Sequence, residues 1–116
     1  MTKAVILHNP RCSKSRETLA LLGEQGVDIE VVEYLKETPD ATEIARILSL
    51  LGIGARELMR TKEEEYKALG LDNPALDEAA LIDAMVANPK LIERPVVLAN
   101  GKAAIGRPPE NVLEIL

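Results

Sequence analysis

The stretch Lys3-Ala4-Val5-Ile6-Leu7-His8-Asn9-Pro10-Arg11-Cys12-Ser13-Lys14-Ser15-Arg16 changes character at its middle. Lys3 to Leu7 is a short apolar run that reads as a buried strand. Asn9-Pro10 interrupts it, and from Cys12 to about Glu24 the pattern is helical, with Leu19 and Leu22 on the inward side and Gly23 and Gly26 closing the segment. A second strand is expected over Ile29 to Leu35, where the β-branched pair Val31 and Val32 stands beside Tyr34. Strand, helix and strand in this order make a βαβ unit, whose handedness is right.

Further along, the turn Thr38-Pro39-Asp40 leads into a helical middle. A segment from about Thr42 to Leu51 places Ile44, Ile47, Leu48 and Leu51 at helix spacing, and Gly52 stops it. Short helical pieces are expected over Arg56 to Met59 and Lys62 to Leu69. A further helix runs from about Asp77 to Ala87, starting on Asp77 and ending before Pro89. The period then returns to strands: Pro95-Val96-Val97-Leu98, the pair Asn100-Gly101, and Ala103-Ala104-Ile105. Asn-Gly between apolar runs is a strong hairpin signal. Pro108 and Pro109 open a last helix whose apolar face is expected to be Val112, Leu113 and Leu116. The fold class expected is α/β, thioredoxin-like, with a helical insertion between the βαβ unit and the C-terminal β-hairpin and helix.

A chain of 116 residues suits a single domain over residues 1–116. With 47% hydrophobic residues but no Phe or Trp, its core must be aliphatic. Tyr34 and Tyr66 alone offer little for nucleic-acid bases to stack on, and a net charge of -5 opposes a polyphosphate, so no nucleic-acid partner is expected. The apolar run Ala4 to Leu7 is far shorter than a membrane span or signal segment, so no membrane partner is expected either. One cysteine cannot form an internal disulfide, and the cytoplasm is the compartment expected. One histidine and one cysteine do not make a zinc site of the usual ligand count, so no metal is expected.

The chemistry concentrates where the first strand gives way to the first helix. Cys12 falls at a helix N-terminus, where unpaired backbone N–H groups and the helix dipole favour a negative charge. A thiol so placed is acidified, and Arg11, Lys14 and Arg16, with His8 across the turn, are expected to act in the same direction. A lone cysteine is more often a small buried hydrophobe than a nucleophile. Its flanks argue otherwise here, since Pro10 is the one other residue without a polar side chain between Asn9 and Arg16. An exposed, electropositive turn is expected.

His8-Asn9-Pro10-x-Cys12-x-x-Ser15-Arg16 resembles the active-site loop of the glutaredoxin-linked arsenate reductase family. Glu93-Arg94-Pro95 and Gly106-Arg107-Pro108 resemble that family's two arginine motifs, and Leu58-Met59-Arg60 resembles its helical insertion. Three separated motifs in the right order, spanning nearly the whole chain, are far more specific than any one alone. The chain ends at Leu116, where longer members continue into a charged tail, and Ser13-Lys14 follows Cys12. It therefore resembles a short subgroup of the family.

The resemblance implies Cys12 as catalytic nucleophile, His8 as the histidine that favours its thiolate, and Arg60, Arg94 and Arg107 as the oxyanion-binding arginines. Ser15 and Arg16 are secondary candidates in the loop, and a cis Arg94-Pro95 bond is implied beside it. Arginine suits the role, because its planar fork of donors stays charged and can hold a tetrahedral oxyanion at two points. The implied activity is the reduction of arsenate to arsenite through a thioarsenate on Cys12, with glutathione as co-substrate, glutaredoxin as reductant protein, no bound cofactor and a role in arsenic resistance. A monomer is expected. Two other readings stand beside it: a glutathione-dependent thiol-disulfide reductase, and an Spx-type regulator that binds RNA polymerase. Spx-type regulators commonly carry Cys-x-x-Cys and lack the arginines, whereas Ser15 occupies the fourth position here.

Overall fold

A computed structural model of the chain describes residues 2–116, so Met1, the first residue of the expected domain, lies outside them. The chain forms two compact units: residues up to Glu37 together with Arg94–Leu116, and Thr38–Glu93.

The first unit holds β1 (Lys3–Leu7), α1 (Ser13–Glu24), β2 (Asp28–Val32), and, after the other unit, β3 (Val96–Ala99) and β4 (Lys102–Ile105). The sheet order is β2-β1-β3-β4. β1 runs parallel to β2, as a βαβ crossover requires, and antiparallel to β3, which pairs antiparallel with β4. This is a thioredoxin-like fold, in the element order the sequence predicts. Ala4 and Ile6 of β1, Val97 and Ala99 of β3 and Leu22 of α1 form an aliphatic core, closed by Val112 and Ile115 of the C-terminal segment.

Two elements differ from expectation for reasons the structure shows, and the short helices of the insertion shift by one or two residues. β2 stops at Val32 rather than Leu35 because its neighbour stops: Leu7 pairs with Val32, and the His8 amide donates the last bond to the Val32 carbonyl at 2.8 Å. The Glu33 carbonyl then accepts from the Lys36 and Glu37 amides at 2.9 and 2.8 Å, which turns the chain at Tyr34. The last helix is a 3-10 helix, Pro109–Ile115. With three residues per turn, its buried stripe is Pro109, Val112 and Ile115, not the face of Val112, Leu113 and Leu116 expected of an α-helix. Leu113 is 40% exposed as a result. The hairpin turn is as expected: Asn100 and Gly101 both have left-handed backbones, φ 54° and 71°, which matches the strand twist of a type I′ turn.

The second unit is the helical insertion: α2 (Ala41–Leu51), α3 (Ala55–Leu58), α4 (Glu64–Ala68) and α5 (Glu78–Ala87), then a 3-10 turn, Pro89–Leu91. Asp40 caps α2 by accepting from the Glu43 amide, and Asp77 caps α5 by accepting from the Ala80 amide, both at 2.8 Å. Gly52 ends α2 with φ 70°. Arg56 ties the irregular chain to α3, donating to the Tyr66 hydroxyl at 2.6 Å and to the Leu71 and Asn73 carbonyls at 2.5 and 3.1 Å. Met59 and Ile92 form an isolated antiparallel bridge, flanked by Arg60 N–H to Leu91 O and Glu93 N–H to Leu58 O, each 2.7 Å. Among the described residues no helix is long and apolar enough to cross a membrane.

Candidate active site around Cys12

Cys12 is the N-cap of α1, and its backbone is extended (φ -93°, ψ 123°) where the chain turns into the helix. Asn9 builds that turn. Its carbonyl accepts from the Cys12 amide and its side-chain oxygen from the Arg11 amide, both at 3.0 Å. The first helical bond follows, from the Arg16 amide to the Cys12 carbonyl at 3.0 Å. The backbone amides of Ser15 and Lys14, in the first turn of α1, favour a negative charge on the sulfur, although the Cys12 side chain makes no capping hydrogen bond.

Ser15 is fully buried and binds this turn together. Its hydroxyl oxygen accepts from the Asn9 amide at 3.0 Å and lies 2.7 Å from His8 Nδ1. With its oxygen accepting from Asn9, the hydroxyl proton is available to an unprotonated Nδ1. Burial lowers the His8 pKa; Glu33 opposes this and Arg16 reinforces it, so the ring is predominantly neutral near pH 7.

Both arginine motifs of the first unit converge on the sulfur. Arg107 Nη2 donates to Cys12 Sγ at 3.5 Å, while its Nε donates to the Arg94 carbonyl at 2.7 Å. The Arg94-Pro95 and Arg107-Pro108 bonds are both cis; the resemblance implied only the first. Burial works against ionisation of Cys12. The Ser15 amide, the Arg94 charge, the Lys14 amide and the Arg107 charge outweigh it, and the thiol pKa lies below its ordinary value.

The sequence anticipates a lowered pKa and the helix N-terminus, but it credits the wrong cations. Arg16 turns back to the Pro10 carbonyl at 2.9 Å, and Lys14 Nζ pairs with Glu17 at 3.4 Å. The charges that act on the thiol come from 82 and 95 residues away in the chain, at Arg94 and Arg107. The expected exposure is also corrected: Arg11, Ser13 and Lys14 are exposed, but Cys12 itself is only 8% exposed. Arg60 belongs to the second unit. There its guanidinium pairs with Glu63 at 2.7 Å, and Glu63 also pairs with Lys90 at 3.6 Å. Thr18, which sequence reasoning passed over, lies against Gly106, which it named only as the first residue of an arginine motif.

Comparison with known proteins follows the same residues. The model of the ArsC family matches residues 7–115. The "Uncharacterized protein YfgD" of Escherichia coli K12 is 64% identical, over all of this chain and 99% of its own. A protein of Neisseria meningitidis serogroup A named "Arsenate reductase" is 55% identical over the full length of both chains. Among solved structures, "Arsenate reductase from Vibrio cholerae" superposes with a TM-score of 0.97 at 53% identity, covering 99% of this chain and 98% of that one.

Proposed function

The chain belongs to the ArsC family, and on that premise we propose that it reduces arsenate to arsenite with Cys12 as nucleophile. The observation that carries the reading is the guanidinium of Arg107, 3.5 Å from Cys12 Sγ and held on its other side by the Arg94 carbonyl. A fixed cation beside a thiolate does two things. It favours the charged nucleophile, and it offers donors to an anion that approaches that nucleophile. A neutral disulfide substrate needs only the first.

On this reading Arg94 and Arg107 hold the oxyanion while the Cys12 thiolate attacks arsenic(V), and one arsenate oxygen leaves as water. The product is a thioarsenate, with arsenic still pentavalent. Because the chain has one cysteine, a second thiol must come from outside. Glutathione attacks the Cys12 sulfur, and the electron pair of the S–As bond stays on arsenic, which departs as arsenite. Two thiol sulfurs have then become one disulfide, and arsenic has gained two electrons. Glutaredoxin attacks the glutathione sulfur of that mixed disulfide and returns Cys12 as thiolate. His8 supports the thiolate through Ser15. The resemblance to the family makes Arg60 the third oxyanion-binding arginine. One chain supplies the nucleophile, Arg94 and Arg107, so a monomer suffices, and a reducing cytoplasm suits a free thiol.

The test is arsenite production by purified protein supplied with arsenate, glutathione and glutaredoxin. Turnover dependent on all three supports the reading. A folded protein with no activity above background overturns it. Activity on a glutathione mixed disulfide that survives loss of Arg94 and Arg107 would favour a thiol-disulfide reductase, and capture of RNA polymerase without turnover an Spx-type regulator.

A further inference from the structure

Gly106 is buried and lacks a side chain for a steric reason. A Cβ added there would lie 2.5 Å from Thr18 Oγ1, 3.0 Å from Thr18 Cγ2 and 2.8 Å from Pro95 Cγ. Its φ is not among the positive values, so the backbone conformation itself would tolerate a side chain; the space would not. Thr18, also fully buried, sits on α1 six residues after Cys12. Its hydroxyl donates to the Lys14 carbonyl at 2.8 Å, within the turn that carries Cys12, and lies 3.4 Å from the Gly106 carbonyl. The Gly106 amide in turn donates to the Pro95 carbonyl at 2.9 Å. Three pieces of chain thus meet at one point: the helix that begins at Cys12, the residue after Arg94 and the residue before Arg107.

We infer that Thr18 and Gly106 are positioning residues for the anion site, their close approach fixing the depth at which the Arg107 fork meets Cys12 Sγ. The inference rests on the anion-holding reading of Arg94 and Arg107 and deepens it. Ordinary contact between non-bonded carbon atoms is about 3.5–4.0 Å. A methyl at position 106 therefore forces α1 and the Arg107 turn apart by about 1 Å. Arg107 Nη2 already stands 3.5 Å from the sulfur and would lose that contact. Displacements of this size at a catalytic centre cost on the order of a hundredfold in rate.

The experiment measures the pH dependence of Cys12 alkylation by iodoacetamide, and arsenate kcat/KM, in Gly106→Ala, Arg107→Ala, the double variant and Thr18→Ala. Gly106→Ala should raise the Cys12 pKa toward that of Arg107→Ala and lower arsenate kcat/KM by roughly tenfold to a hundredfold. The double variant should have the pKa of Arg107→Ala alone, since one route carries both effects. Adding Thr18→Ala to Gly106→Ala removes both Thr18 atoms that obstruct the new methyl and should restore part of the shift. If Gly106→Ala does not fold, Thr18→Ala decides alone: it removes the wall, lets the Arg107 turn relax, and should raise the pKa by less than Arg107→Ala does. A folded Gly106→Ala with unchanged pKa overturns the inference, as does a double variant whose shift is the sum of the two, or, where only Thr18→Ala is measurable, a wild-type pKa in it. The alkylation readout uses no arsenate. A wild-type enzyme inactive on arsenate would therefore sink the function and leave the positioning claim standing or falling on pKa alone.

Discussion

At Cys12 two kinds of group favour a negative charge on one sulfur, and they make different predictions. The Ser15 and Lys14 amides belong to the backbone and survive any side-chain change nearby, whereas the Arg94 and Arg107 charges do not. Removing either arginine should therefore raise the thiol pKa without returning it fully to the ordinary value, as iodoacetamide alkylation across pH would read. The effect on arsenate should be larger. Charge-assisted hydrogen bonds contribute about 1.5–3 kcal/mol each, so Arg94→Ala or Arg107→Ala should lose roughly tenfold to a hundredfold in kcat/KM. Lysine should restore only part, because it keeps the charge but not the fork. At high pH, where the thiol is ionised in every variant, iodoacetamide should react at nearly wild-type rates. Arsenate turnover that survives both alanine substitutions would remove the oxyanion assignment. Cys12→Ser, small and placed at an N-cap where a hydroxyl is welcome, should abolish reduction and leave the fold intact by circular dichroism. Any turnover above the uncatalysed rate in that variant would mean a different nucleophile.

Among the elements, those whose determinants are local were legible in the sequence. Asp40 and Asp77 cap the helices they introduce, and Asn100-Gly101 makes the turn that its residues favour. Asp77→Ala should accordingly destabilise the protein by about 1 kcal/mol, read from urea unfolding. A variant as stable as wild type would show that the α5 cap contributes nothing. Features fixed by a partner elsewhere were not legible. β2 ends where β1 ends, which no property of Glu33, Tyr34 or Leu35 reveals. The last helix winds three residues per turn rather than 3.6, and Pro109, Val112 and Ile115 fit that period as well as Val112, Leu113 and Leu116 fit the other. The site divides the same way. The turn Asn9 to Arg16 showed the helix N-terminus and the thiol, while the cations that act on it lie on the far side of the chain. Only the likeness of the Arg94-Pro95 and Arg107-Pro108 motifs to a known family pointed to them. Thr18 carried no signal, and Gly106 only a faint one, a glycine placed directly before Arg-Pro.

For the molecule as a whole, the two groups of the Cys12 turn with shifted pKa values link stability to pH in two windows that open at different pH. His8 has a folded pKa below its ordinary value, because burial outweighs Glu33. Protonating it thus costs more in the folded chain than in the unfolded one. The stability this group contributes is present above its unfolded pKa of about 6.5 and is lost as pH falls through the folded value. Cys12 also has a lowered folded pKa, for the opposite reason that its charged form is favoured. Its contribution is complete above the unfolded thiol pKa of about 8.5 and declines as pH falls toward the folded value. The upper edges of the windows separate the residues. The stability difference between wild type and Cys12→Ser should begin to shrink as pH is lowered from about 9 through about 8.5 and level off below the folded thiol pKa. The difference between wild type and His8→Asn, whose side-chain amide can still reach Ser15, should be flat across that range and fall below about pH 6.5. Urea unfolding of the three proteins at half-unit steps of pH measures both curves. A Cys12→Ser difference independent of pH would mean that the folded chain does not favour the thiolate, and the electrostatic account of the nucleophile would fail with it.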